Sequence, residues 1–109
     1  MKIAFLGGGN MASALIGGLL AKGFDAGSIS VIEVLDAARE RLGARYKVHA
    51  SAAADEATRA ADMLVLAVKP QDMRAALSGL RDIVRGKLVV SIAAGVRLAD
   101  ISRWLGGHR

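Results

Sequence analysis

Residues 4–20 read AFLGGGNMASALIGGLL. An apolar run ends in three consecutive glycines, Gly7, Gly8 and Gly9, and a stretch of small and apolar residues with helical spacing follows. A short strand that stops at glycine and gives way at once to a helix is a βα unit. Gly7, Gly9 and Ala12 fit the pattern G-x-G-x-x-G/A, here GGGNMA at residues 7–12. Each position has a physical task. Gly7 allows the tight turn off the strand, Gly9 lets a pyrophosphate reach the backbone, and Ala12 is small enough for the helix to pack on the strand. The helix N-terminus then presents free N–H groups and the positive end of its dipole. The ligand expected against these glycines is a dinucleotide pyrophosphate. The competing reading is a glycine-rich turn that serves chain geometry alone. A phosphate loop of the G-x-x-x-x-G-K-S/T type is excluded, because no Lys-Ser or Lys-Thr follows.

Outward from this unit, strands and helices alternate. Lys2–Leu6 is a buried strand and Ala12–Lys22 a helix that ends near Gly23, with Met11, Leu15, Gly18, Leu19 and Lys22 along one face. SISVIEV (28–34) is a second strand. DAARERLGAR (36–45) is a helix with Asp36 at its N-cap. YKVHA (46–50) is a short third strand, and AADEATRAA (53–61) is alanine-rich and helical. DMLVLAV (62–68) is an unbroken apolar run, as a strand buried on both faces requires. Pro70 opens a helix whose apolar stripe is Met73, Ala76, Leu77, Leu80, Ile83 and Val84. KLVVSIAA (87–94) is a fifth strand ended by Gly95, and LADISRWLG (98–106) a last short helix. The alternation predicts an α/β fold, a doubly wound and mainly parallel sheet of the dinucleotide-binding (Rossmann) type.

Composition sets the outer limits. At 109 residues the chain suits one domain, residues 1–109, and 53% apolar content with 23% charged argues against disorder. There is no cysteine, so disulfides, thiolate metal sites and a cysteine nucleophile are excluded. His49 and His108 lie far apart without ligand spacing, so no metal site is expected. The apolar start is too short for a signal peptide, and no run reaches the length of a membrane span. The expectation is a soluble, cytoplasmic protein with no membrane partner. The net charge is +5, with clusters at Arg39, Arg41, Arg45 and Lys47 and at Arg97, Arg103, His108 and Arg109. These read as solvated helix faces, or as attraction for a small anionic ligand. Nucleic acid is not expected, because aromatics are few and no binding motif is interleaved with the charges.

Three further sites lie where strands end. Glu33 closes the second strand, where a carboxylate can accept from the adenine-ribose hydroxyls and so favours NAD(H). It stands 26 positions after Gly7, later than the usual spacing of about 20. The connection GFDAGS (23–28) accounts for the excess. Lys69, in AVKPQ (67–71), follows the fourth strand and can meet a cofactor's phosphate or ribose. SIAAG (91–95) ends the fifth strand with side chains small enough to leave room for a flat ring. The plainer alternatives are a solvated strand end, a surface lysine and tight helix–sheet packing.

Taken together, FLGGGNMASALIGGLL, LAVKPQDM and VVSIAAGV resemble, in order and spacing, the pyrroline-5-carboxylate reductases. The likeness covers essentially the whole chain. It implies reduction of the imine 1-pyrroline-5-carboxylate to proline, the last step of proline biosynthesis, with NADP(H) or NAD(H) as the hydride carrier. It places cofactor contacts at Leu6, Gly7, Gly8, Gly9, Asn10 and Met11, at Ala67, Val68, Lys69 and Pro70, and at Ala93, Ala94 and Gly95. In that family a helical C-terminal domain builds the dimer and most of the substrate site, and this chain stops at WLGGHR before it. The resemblance therefore implies the cofactor domain alone, inactive by itself, of a protein that is a homo-oligomer at full length. Glu33 departs from members that carry neutral or basic residues there, which suit a 2′-phosphate. Acceptance of NADH at least equal to NADPH follows as an expectation. No general acid or base is assigned. Two alternatives stay open: the cofactor domain of another reductase, such as a deazaflavin-dependent NADP reductase, and a non-catalytic module that senses NAD(P).

Overall fold

The computed structural model describes residues 2–68, 80, 83 and 87–91. The elements are β1 (Ile3–Leu6), α1 (Asn10–Ala21), a 3-10 turn (Ala26–Ser28), β2 (Ile29–Ile32), α2 (Asp36–Tyr46), β3 (His49–Ser51), α3 (Glu56–Ala60), β4 (Met63–Leu66) and β5 (Leu88–Ser91). The five strands form one sheet in the order β3-β2-β1-β4-β5, and every pairing is parallel. The order reverses at β1, which lies between β2 and β4, and in a doubly wound sheet such a switch point opens a crevice beyond the carboxyl ends of the strands. The register is even: Leu6 stands beside Ile32 and Leu66, and Leu66 beside Ser91, so four strands end on one edge.

Both faces of the sheet are covered, as the unbroken apolar runs require. Ile3 and Phe5 of β1, with Met63 and Val65 of β4, pack with Ala12, Ile16 and Leu19 of α1 and Leu42 of α2. The alternate residues Ala4, Leu6, Leu64 and Leu66 pack on the other face with Ile32, Ala61 and Leu80. Full burial of one such side chain contributes about 1.5–3 kcal/mol before conformational entropy is set against it.

Several boundaries differ from the expectation. The buried stripe of α1 is Ala12, Ile16 and Leu19, one step round from the face that began at Met11, while Met11 and Lys22 are exposed. Burial follows Ala12 because its small side chain lets the helix sit close on the sheet. Asp36 is the first helical residue of α2 and not its N-cap; Leu35 holds that position and provides no side-chain cap. The third strand begins at His49, not Tyr46, because α2 runs on through Tyr46 and closes at Lys47 in the left-handed region (φ 61°). The alanine-rich stretch supplies only the five residues of α3, started by an Asp55–Thr58 capping box. Apart from Leu80 and Ile83, which pack with the second core cluster, the helix expected after Pro70 lies outside the described residues, as do that expected at 98–106 and residues 92–95. Among the described residues no helix is long and apolar enough to cross a membrane, and no group of three or more His, Asp or Glu could hold a metal ion.

Candidate dinucleotide site

The connection from β1 to α1 is three glycines long, and each glycine is bare for a different reason. Gly7 leaves the strand with φ +100°, and a Cβ there would lie 2.8 Å from the carbonyl oxygen of Ala67. Its N–H donates to the Ile32 carbonyl at 2.8 Å. A Cβ on Gly8 would lie 2.7 Å from Cδ1 of Leu42. Contacts inside the protein therefore explain Gly7 and Gly8. Gly9 is different. It is the N-cap of α1, its φ of −78° suits any residue, and a Cβ built on it meets nothing within 4 Å. No contact among the described residues demands a glycine there. The space above it is open, and a group entering that space would meet bare backbone.

The start of α1 suits an anion. No side chain caps it and no acidic residue occupies its first turn. The first N–H groups of a helix have no partner within it, and they add to the positive end of the dipole. Asn10 and Met11 open the helix and are exposed, Met11 by 48%. Leu6 is buried at the strand end. Ala67 and Val68 leave the adjacent β4, with the Ala67 N–H donating to the Leu6 carbonyl at 2.8 Å. The Val68 side chain stands 3.0 Å from where a Gly7 Cβ would be. Leu6 through Met11, Glu33, Ala67 and Val68 thus gather at the carboxyl ends of β1, β2 and β4. Lys69, Pro70, Ala93, Ala94 and Gly95 lie outside the described residues.

Glu33 follows β2, and its carboxylate turns toward the glycines. One oxygen accepts from the Gly8 N–H at 2.6 Å and the other from the Leu35 N–H at 3.0 Å. The side chain ties the β1–α1 loop to the β2–α2 corner, a role that spacing did not reveal. The sequence offered Arg39 or Arg41 as a cation that could reach this corner from the next helix, and gave Asp36 only a capping role; the structure brings Arg39 and Asp36 to it together. Arg39 donates through Nη1 to the Glu33 carbonyl at 2.7 Å and through Nη2 to the Asp36 carboxylate. The i, i+3 spacing of an acid and a base on a helix was the available signal. Val34 and Leu35 stand at the same corner, 75% and 64% exposed, an apolar pair left open to a ligand.

His49 is committed elsewhere. Its Nε2 lies 2.7 Å from a carboxylate oxygen of Asp55, the N-cap of α3.

Residues 2–95 match the family described as NADP oxidoreductase, coenzyme F420-dependent. The chain belongs to this family. Within and around this NADP oxidoreductase family it is similar to a curated pyrroline-5-carboxylate reductase of Pseudomonas aeruginosa, 39% identical over 99% of this chain and 40% of the relative. It superposes on the solved structure of a pyrroline-5-carboxylate reductase from Coxiella burnetii with a TM-score of 0.78 at 35% identity, covering 97% of this chain and 40% of that one. A variant of an imine reductase from Myxococcus stipitatus, solved in complex with NAD+, superposes with a TM-score of 0.64 at 30% identity over 83% of this chain and 31% of that one. The chain spans about two fifths of the length of the pyrroline-5-carboxylate reductases it matches. The fold of this family member is the Rossmann type that its sheet order describes.

Proposed function

We propose that this chain is the NAD(P)-binding domain of a pyrroline-5-carboxylate reductase. The observation that carries the binding half is Gly9, a glycine that no contact among the described residues explains, at the uncapped start of α1. The residues fit a dinucleotide. Gly9 and the first N–H groups of α1 would receive the pyrophosphate, and Leu6, Gly7 and Gly8 would hold the loop in place. Glu33 would face the adenosine ribose, and Val34 and Leu35 offer apolar surface to the adenine. Ala67 and Val68 border the loop, and Lys69, Pro70, Ala93, Ala94 and Gly95 complete the proposed contacts. When bound, the nicotinamide supplies the hydride that reduces a C=N bond. This chain's own part is to bind, orient and fix the electrostatics around it.

The choice of substrate rests on the relatives. Two of the three compared are pyrroline-5-carboxylate reductases and the third is an imine reductase, and the imine would be 1-pyrroline-5-carboxylate, reduced to proline. On the same resemblance the imine site and the subunit contacts belong to the length of the relatives that this match does not span. The family's description favours a second reading, a deazaflavin-dependent NADP reductase. The protein expressed from its complete reading frame decides between them. Consumption of NADH or NADPH that requires 1-pyrroline-5-carboxylate and yields proline is expected. Turnover with a deazaflavin and none with the imine would establish the second reading.

A further inference from the structure

The corner between β2 and α2 contains more than the carboxylate of Glu33. Three charged groups meet there: Glu33, Asp36 and Arg39. The guanidinium of Arg39 is half-buried and bonded on two sides, to the Glu33 backbone carbonyl at 2.7 Å and to the Asp36 side chain. Asp36 itself is open to water, its side chain 82% exposed. The Glu33 carboxylate is held 2.6 Å from the Gly8 nitrogen and cannot swing away without leaving that N–H and the Leu35 N–H unpaired. Val34 and Leu35 bring no charge, and Arg41 makes no hydrogen bond to this corner among the described residues. The corner therefore holds two carboxylates and one guanidinium, and the guanidinium is already paired with the Asp36 carboxylate and the Glu33 backbone carbonyl.

The 2′-position of an adenosine ribose comes to this corner in a sheet of this type. We propose that Asp36 keeps Arg39 from serving a 2′-phosphate, so that this corner selects the dinucleotide with a free 2′-hydroxyl. The inference rests on the dinucleotide reading of the glycine loop and goes against the NADP in the family's description. The physical case is a comparison of partners. A 2′-hydroxyl can donate to the remaining lone pairs of Glu33. A 2′-phosphate would bring about two negative charges beside two carboxylates, and would find the Arg39 charge already offset by Asp36. Glu33 acts in addition as a positioning residue, because it pins the loop whose backbone receives the pyrophosphate.

The test is titration calorimetry of the chain with NAD+ and with NADP+ at one fixed ionic strength. The unaltered chain should bind NAD+ more tightly, by roughly tenfold on the scale of one charged hydrogen bond. Asp36→Asn should strengthen NADP+ binding about three- to tenfold, the range of a partly exposed ion pair, and leave NAD+ binding nearly unchanged. Arg39→Gln combined with Asp36→Asn should remove that gain, since the freed guanidinium is its source. Circular dichroism on each variant checks that the fold is kept. Tighter binding of NADP+ by the unaltered chain, or an NADP+/NAD+ ratio unmoved by Asp36→Asn in a folded protein, overturns this inference while the dinucleotide site stands. Failure of both dinucleotides to bind overturns the site reading and this inference with it.

Discussion

Two neighbouring glycines answer to different forces. At Gly7 the backbone has φ +100°, and a Cβ would press to 2.8 Å on a backbone oxygen that cannot move aside cheaply. Gly7→Ala should therefore destabilise the fold by about 1–3 kcal/mol, the cost of holding a non-glycine residue in a sparsely populated conformation. Urea denaturation is the measurement, and an unchanged midpoint would contradict the strained turn. Gly9 has neither constraint, so replacement there should leave the fold intact. The sequence motif assigned Gly7 to the turn and Gly9 to the ligand, but the clash that a Cβ at Gly7 would make with the Ala67 carbonyl depends on a contact across 60 residues that no local pattern shows. Glu33 teaches the same lesson. Its place after β2 was legible from strand ends, whereas its bond to the Gly8 N–H depends on a contact across 25 residues. Asp36 was assigned a cap because its residue type prefers one, but its carboxylate pairs with Arg39 instead.

Among the elements, α3 is too short to hold itself together, and its five residues depend on Asp55. One Asp55 carboxylate oxygen accepts from the N–H groups of Ala57 and Thr58 at 3.1 and 3.4 Å, and the other lies 2.7 Å from His49. The His49 hydrogen bond, with help from Thr58 and Ser51, holds the Asp55 carboxyl below its ordinary titration range, and partial burial opposes this only in part. The sign follows from linkage: a lowered folded value stabilises at neutral pH, and the gain is lost as pH falls below about 4 through that value. Asp55→Ala should cost about 1 kcal/mol, as loss of an N-cap does, whereas Asp55→Asn keeps the cap and should flatten the acid dependence. Urea midpoints measured across the acid range check both, and a slope retained in Asp55→Asn would assign the acid loss to other groups. The opposite end of α3 is tied to β5 by Lys87, whose ammonium donates to the carbonyls of Arg59 and Ala61 at 2.8 and 2.5 Å. Element type was legible for the regular strands and helices of the described chain, since β1 and β4 are unbroken apolar runs and β2 is interrupted only by Ser30. Ends were less so. Tyr46 fell on the wrong side of a boundary because an aromatic residue suits a strand, while here it packs on α1 with its hydroxyl 3.1 Å from Ser13.

At the scale of the whole molecule, one central strand organises both structure and site. Phe5 is fully buried on β1, and Phe5→Ala should cost about 3–5 kcal/mol, a large share of the stability of a domain this size. Denaturant unfolding measures it, and a loss below 1 kcal/mol would mean that the β1 core is not the one described. The carboxyl end of that strand delivers the glycine loop to the switch point of the sheet, so the core and the ligand crevice share a foundation. The central claim, a dinucleotide-binding domain whose loop is bare at Gly9 to admit a pyrophosphate, has a direct test. It is thermal unfolding of the chain and of Gly9→Val, each with and without NAD+. A ligand at 100 times its dissociation constant stabilises the folded state by about 2.7 kcal/mol. The account predicts an upward shift of the unaltered chain with NAD+, the same unfolding temperature for both proteins without it, and no shift for Gly9→Val. An equal shift in Gly9→Val, or none in the unaltered chain with either NAD+ or NADP+, would contradict it.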